Sequence, residues 1–283
     1  MLNVLSAILA AWLIIGDSHQ LKLPSYIKAC KRTDPKLNEC VVKAGRAAIP
    51  KFINGDTKYR VPRLDPLEIS ELKVHQGGSR ALGINMSLKD SKVTGLKSAL
   101  FQAARTDLKN KHIEWDFFHP YLTIIGKYDI TGQVLLLPVR GSGTSNITLT
   151  NMKSVFKFDF VLETRADGLE YMKVTNTRLD TDIGKAYFRF NNLFNGDRLL
   201  GESMNRFINE NSREVIKELG APVIDSVSQV FEIILASICE LVPYSLVYPE
   251  NEPQDLERGV KSAEAFRNIF KKPQHIYGKL SIV

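Results

Sequence analysis

At 283 residues, 44% of them apolar and 24% charged, the chain can bury a substantial core and falls outside the disordered and collagen-like classes. Its 38 Lys and Arg against 31 Asp and Glu leave a net charge of +7 that is spread along the chain rather than gathered in a block. A dispersed excess of this kind describes a solvated basic surface and argues against nucleic acid as a partner, leaving attraction to an anionic membrane surface as the minor alternative.

In chain order, Val4 to Ile15 is an apolar run relieved only by Ser6, long enough for the core of a signal peptide and too short to span a bilayer. Small residues at Gly16 and Ser18 suit a cleavage site, so a signal peptide is predicted over residues 1–18, the mature chain starts near His19 or Gln20, and the protein is secreted to the extracellular space. Met1-Leu2-Asn3 lacks Lys and Arg, which keeps a buried amino-terminal helix as the competing reading. In an exported chain the neighbouring Cys30 and Cys40 are expected to pair, closing a small loop worth roughly 2 to 3 kcal/mol. Cys239 is then left over inside an apolar helical run, where a buried, inert thiol is expected.

From Leu37 to Phe52 the apolar residues Leu37, Val41, Ala44, Ala48 and Phe52 recur at helical spacing, and Asn54-Gly55 makes a stop. The period then changes to two. Leu82, Ile84, Met86 and Leu88 alternate with polar or small residues, and Leu122, Ile124, Tyr128, Ile130 and Val134 share one face of a longer run. Phe156, Phe158, Phe160 and Leu162, then Ala186, Phe188 and Phe190, repeat the pattern. Long antiparallel strands, apolar on one face, are predicted. Two sequons, Asn85-Met86-Ser87 and Asn146-Ile147-Thr148, place Asn on the opposite face, so Asn85 and Asn146 are candidate glycosylation sites.

Helical spacing returns with Leu200, Met204, Phe207, Ile208, Val215, Ile216 and Leu219, after a start signal at Asn195-Gly196-Asp197 and before a break or kink at Gly220-Ala221-Pro222. A second helix is predicted from Val223 to Val242, apolar around more than half its circumference, and ended by Pro243. Asp225, Glu232 and Glu240 argue against stable membrane insertion, so burial inside a curved sheet is expected. Residues 250–283 shift in composition and are read as a tail, partly helical or disordered. No linker divides residues 19–249, which are read as one domain and as a monomer.

The chain lacks a His-Glu-x-x-His helix, a Cys-x-x-Cys pair, a phosphate-binding Gly-Lys-Ser/Thr loop and a Gly-x-Ser-x-Gly elbow. Gly141-Ser142-Gly143 joins strand to strand rather than strand to helix and is read as a flexible corner; a lipid hydrolase would need Ser142 as its nucleophile. His75, His112, His119 and His275 have no ligand spacing and are read as surface or core residues. Neither catalysis, nor a metal, nor a cofactor is therefore expected.

Two long segments stand out: Tyr128 through Gly143, and Leu193-Phe194-Asn195-Gly196-Asp197-Arg198-Leu199-Leu200-Gly201 running on to Asn209-Glu210-Asn211. With Cys30 and Cys40 in their surroundings, they resemble the insect takeout and juvenile hormone binding protein family over nearly all of Leu23 to Pro249. Ser212 stands where the family usually has Trp, and the tail has no counterpart. The resemblance implies an α+β fold, a long carboxy-terminal helix wrapped by a strongly curved antiparallel sheet (a super-roll, as in lipid-transfer proteins) enclosing an apolar tunnel. It also implies an extracellular carrier of terpenoid hormones, fatty acids or other lipids, in a family with circadian, feeding and chemosensory members. The tunnel-lining candidates are Met86, Leu122, Ile124, Tyr128, Ile130, Val134, Phe156, Phe158, Phe160, Phe188, Phe190, Phe231, Ile234, Leu235 and Ile238, with Tyr128 as the polar contact. A binder of lipid at membrane surfaces, of the lipopolysaccharide-binding kind, is the alternative.

Overall fold

The computed structural model describes residues 21–79, 82–134 and 137–251, and within them the side chains of all but 74–79, 82, 134 and 222. The expected signal peptide and the tail from residue 252 onward lie outside the described residues. Helix α1 runs from Leu37 to Phe52 as the spacing predicts, burying Val41, Ala44 and Ala48. A single antiparallel sheet follows: β1 (Leu67–Ser79), β2 (Leu82–Thr94), β3 (Leu100–Asp107), β4 (His112–Val134), β5 (Leu137–Thr164) and β6 (Glu170–Phe190). Its order is β1-β2-β4-β5-β6, with β3 pairing the first half of β4. Helices α2 (Arg198–Glu210), α3 (Ser212–Leu241) and the short α4 (Tyr244–Val247) complete the chain.

The strand order ends at β1 and β6, and α3 packs against both. It lies along β6 and reaches β1, closing the seam of a strongly curved sheet. This is the helix-wrapped super-roll. α3 is less enclosed than its composition suggests: Ile234 and Cys239 are buried, but Ile233 is 66% exposed. The outward side of the helix faces solvent.

The helical boundaries differ from those predicted from sequence. The break or kink expected at Gly220-Ala221-Pro222 is present as a kink, and the difference lies upstream, where the chain also breaks at Asn211 and α3 continues through Pro222. Its two arms, Ser212–Ala221 and Val223–Leu241, meet at a bend of 52°. A proline removes one helical hydrogen bond and crowds the preceding turn, and here packing against the sheet holds the helix together across the defect. α2 begins as predicted, with Asp197 Oδ1 accepting from the Leu200 amide at 3.0 Å.

α2 also satisfies the free edge of β6. Asn205 Oδ1 accepts from the Phe190 amide at 2.8 Å while Nδ2 donates to the Phe190 carbonyl at 2.9 Å. One turn on, Asn209 does the same for Phe188, both bonds at 2.8 Å. Each side-chain amide replaces one residue of a missing strand.

A second device bends the sheet along its strands. In β5 the buried positions are odd-numbered up to Ile147 and even-numbered from Met152 to Phe160. In β4 they change from Ile113 and His119 to Leu122, Tyr128 and Ile130. The switch falls on one row, where Pro120 faces Asn151 and Asn151 faces Gly184. Asn151 has φ of +53°, and a Cβ on Gly184 would lie 2.9 Å from that of Asn151. Proline, a left-handed Asn and a glycine thus fold three neighbouring strands on a common line.

The amino-terminal segment runs beside the chain's other end. The Leu21 amide donates to the Leu241 carbonyl at 3.0 Å and the Arg32 amide to that of Pro249 at 2.9 Å. The expected Cys30–Cys40 disulfide is present and ties this segment to α1. Cys239 is a free, buried thiol whose pKa burial pushes up to about 12.

Replacing Asn205, which is 6% exposed, by Ala would strip both Phe190 backbone groups of their partners. Urea unfolding is expected to show a loss of roughly 2 to 4 kcal/mol, against about 0.5 kcal/mol or less for exposed Arg206→Ala beside it.

Candidate functional site

The apolar face of the roll is divided among three packed clusters. The first joins Phe101, Ile113, Phe156, Phe158 and Phe160 to α1 and to Phe231 and Leu235 of α3. The second joins Ile84, Leu88, Tyr128, Ile130 and Phe190 to α2 and to Val215 of α3, with Met86, Ile124 and Phe188 at its margin. The third packs Ile234 and Ile238 against Tyr59, Val61 and Leu64. The candidates from sequence are therefore distributed over the whole interior rather than gathered at one point. Leu122 is buried but belongs to none of the clusters, and the side chain of Val134, at the end of β4, lies outside those described.

Tyr128 is committed elsewhere. Its hydroxyl donates to the Asn191 carbonyl at 2.7 Å, its ring meets Phe190 edge-on at 4.9 Å, and burial, with the charge of Asp129, raises its pKa to about 12. The chain at Asn191–Leu193 crosses directly over β5 here. A Cβ on Gly141 would come within 2.9 Å of Leu193 Cα, and one on Gly143 within 2.3 Å of the Asn191 carbonyl oxygen. Gly141-Ser142-Gly143 is thus no corner: it lies inside β5, paired with Tyr128, Asp129 and Ile130, and its glycines admit the crossing chain. The two distinctive sequence segments are packed against each other.

Between the first and second clusters lies a belt of buried side chains that belong to none of the three: Leu122, Met152, Ala186, His119, Ser154 and Ser228. They are shielded from solvent, and the His119 ring lies 6.3 Å from that of Phe117 at the margin of the first cluster. His119 Nε2 lies 3.0 Å from Ser154 Oγ, while His119 Nδ1 and Ser228 Oγ have no hydrogen-bond partner. Burial pushes the His119 pKa down to about 4. None of the six buried polar residues among those described is Asp, Glu, Lys or Arg, so this interior carries no formal charge.

Reading the sequence placed Leu122 and Ala186 on the inward face but missed the rest of the belt. Ser154 alternates in phase with Phe156, Phe158 and Phe160, which is the signal that could have found it. His119 and Ser228 carry no such mark, since their burial depends on the bend beside Pro120 and on where α3 crosses the sheet.

On the outside, both sequon residues Asn85 and Asn146 are exposed. His112 lies in a charged row across β3 to β6, with Nδ1 at 2.7 Å from Asp159 and Nε2 at 3.2 Å from Glu114, which itself meets Arg105. Among the described residues no group of three or more His, Cys, Asp or Glu is placed to hold a metal. No single helix there is long and apolar enough to cross a membrane, and only the two bent arms of α3 pass together on length and composition.

A sequence profile described as haemolymph juvenile hormone binding protein matches residues 4–249. The chain belongs to this family. Among proteins of similar sequence are the circadian clock-controlled proteins daywake of Drosophila yakuba and Drosophila melanogaster. The first is 24% identical over 227 residues, 78% of this chain and 86% of that protein; the second is 23% identical over 242 residues, 83% and 92%. The crystal structure of Takeout 1 from Epiphyas postvittana superposes with a TM-score of 0.71 at 27% identity, covering 79% of this chain and all of that one. The takeout and juvenile hormone binding protein resemblance read from the two segments is thereby established, and with it membership of a family of binding proteins.

The two histidines should link stability to pH with opposite signs. His119, held neutral, binds fewer protons folded than unfolded below its ordinary pKa of 6.5, so its contribution is whole above pH 6.5 and is lost as pH falls toward about 4. His112 is raised by Asp159 and then Glu114, so its contribution is whole below pH 6.5 and is lost as pH rises through the folded value. Ring-proton NMR titrations are expected to place the two on either side of 6.5, and Asp159→Asn should return His112 toward it.

Proposed function

We propose that this chain is a secreted carrier that holds an apolar small molecule, a terpenoid of the juvenile hormone kind, a fatty acid or another lipid, inside the roll. Three things support this reading: family membership, a sheet closed into a roll by α3, and an interior whose buried polar groups are all uncharged. The observation that carries it is the closure of the sheet by α3, which packs on β6 and reaches β1 over an inward face of apolar side chains.

Burying on the order of 400 Å² of apolar ligand would contribute about 10 kcal/mol before the cost of association, enough for micromolar or tighter binding without a charged anchor. Export would remove residues 1–18, and the outward faces of β2 and β5 leave room for glycan at Asn85 and Asn146.

Intact mass spectrometry of the protein secreted from insect cells tests these points in one sample. A mature start near His19, added glycan mass and a lipid-range mass present only under native conditions are expected. A folded protein with no extractable lipid and no affinity for an apolar dye would overturn the carrier reading.

A further inference from the structure

The outer face of the sheet changes character at the row of Pro120, Asn151 and Gly184. On one side of that row, exposed charges pair with one another: Arg105 with Glu114 and Asp116, and Lys157 with Asp180. Such a surface satisfies itself and is solvated. On the other side three large apolar side chains stand in water, Tyr121 at 44% exposed, Ile125 at 52% and Tyr187 at 51%. Single exposed apolar groups are ordinary, but these three share one stretch of three adjacent strands.

The register places them around one residue. Ile125 of β4 is paired with Asn146 of β5, and Tyr187 of β6 with Thr148, two residues further along β5 on the same face. Partners directly across an antiparallel pair stand about 5 Å apart and diagonal neighbours about 7 to 8 Å. Asn146 therefore stands between Ile125 and Tyr187. Tyr121 is paired with Thr150, four residues from Asn146, which is about 14 Å along the strand.

Asn146 is itself exposed and opens the acceptor sequence Asn146-Ile147-Thr148. The strand carries Asn146 and Thr148 on one face, and the Thr148 hydroxyl donates to Asn146 Oδ1 at 3.3 Å. A pyranose ring attached here would have an apolar C–H face to lay on its neighbours and hydroxyls to keep in water. A half-exposed tyrosine suits that partner, since its ring is apolar and its hydroxyl wet. Arg189, exposed and paired with Asn146 from β6, offers donors to sugar oxygens.

We propose that Asn146 carries an N-linked glycan whose first sugars lie along the sheet over Ile125, Tyr187 and Tyr121, covering the patch. In the linking step Nδ2 gives up one proton to solvent and bonds to the anomeric carbon of the first sugar. The bond from that carbon to the oxygen of a lipid-linked pyrophosphate donor breaks, and the lipid pyrophosphate leaves. The inference rests on the secreted reading, since a chain meets that donor only on the export route.

The test uses the full chain as secreted from insect cells. Peptide mass spectrometry is expected to find a glycan on Asn146. Hydroxyl-radical footprinting should find Tyr121 and Tyr187 protected, and severalfold faster to oxidise in Asn146→Gln or once the glycan is cut from the folded protein enzymatically. Val161, 45% exposed on the far side of the bend, should keep its rate throughout. Thr148→Ser retains an acceptor sequence and should retain both glycan and protection. Enzymatic removal acts on protein already folded, so the test stands even where Asn146→Gln is not secreted. Secreted protein with Asn146 unmodified would overturn the inference, as would a glycan whose removal leaves both tyrosine rates unchanged; the carrier reading survives either result. A chain that stays in the cells with residues 1–18 attached would instead overturn export, and this inference with it.

Discussion

The bonding of two asparagine side chains to the edge of β6 is the contact on which the closed form of the molecule depends. A six-stranded antiparallel sheet that does not close on itself leaves a row of unpaired amides and carbonyls at each edge, an invitation to aggregate. Asn205 and Asn209, spaced one helical turn apart, lie at the interval that matches alternate residues Phe188 and Phe190 of the strand, and each supplies both a donor and an acceptor. That match fixes the angle at which α2 meets the sheet. It also sets the direction in which α3 departs, and so its reach across the opening to β1. Sheet closure, burial of the apolar face and any internal compartment follow from it.

Closure alone would give one packed core. The row Pro120, Asn151 and Gly184 gives two, because it switches which side chains of β4 and β5 face inward and bends the sheet between them. A bend in a packed layer separates the side chains on its two flanks, and the belt at the bend holds the buried residues that belong to neither cluster. The buried polar side chains of this interior, among those described, are all uncharged. Without a charged group the interior favours apolar matter by desolvation alone, and its few hydroxyl and imidazole atoms add direction rather than strength.

Much of this architecture was legible in the sequence, for identifiable reasons. α1 was bounded correctly because five apolar residues at helical spacing and an Asn-Gly stop agree with its burial. The Cys30–Cys40 pairing was legible because neighbouring thiols in a chain read as exported are expected to oxidise, and the strands because stretches of period-two alternation mark β2, β4, β5 and β6. The kink at Pro222 was legible because proline is a strong local signal, while the further break at Asn211 was missed because it has no strong signal of its own. Gly141-Ser142-Gly143 was misread for a related reason: its glycines answer to a chain crossing from Asn191–Leu193, some fifty residues away, as the hydrogen bond from Asn192 to the Ser142 carbonyl shows. Tyr128 was correctly placed inward, but its use of the Asn191 carbonyl could not be seen without that crossing. The burial of His119 and Ser228 was illegible for a similar reason, since it depends on the bend beside Pro120 and on where α3 crosses the sheet.

The most direct test of the account is a crystal structure of the protein as secreted from insect cells, without added ligand. It predicts continuous elongated density between α3 and the inward faces of β4 to β6. Side chains of the helix and the sheet meeting all along that interior, with no density between them, would contradict it.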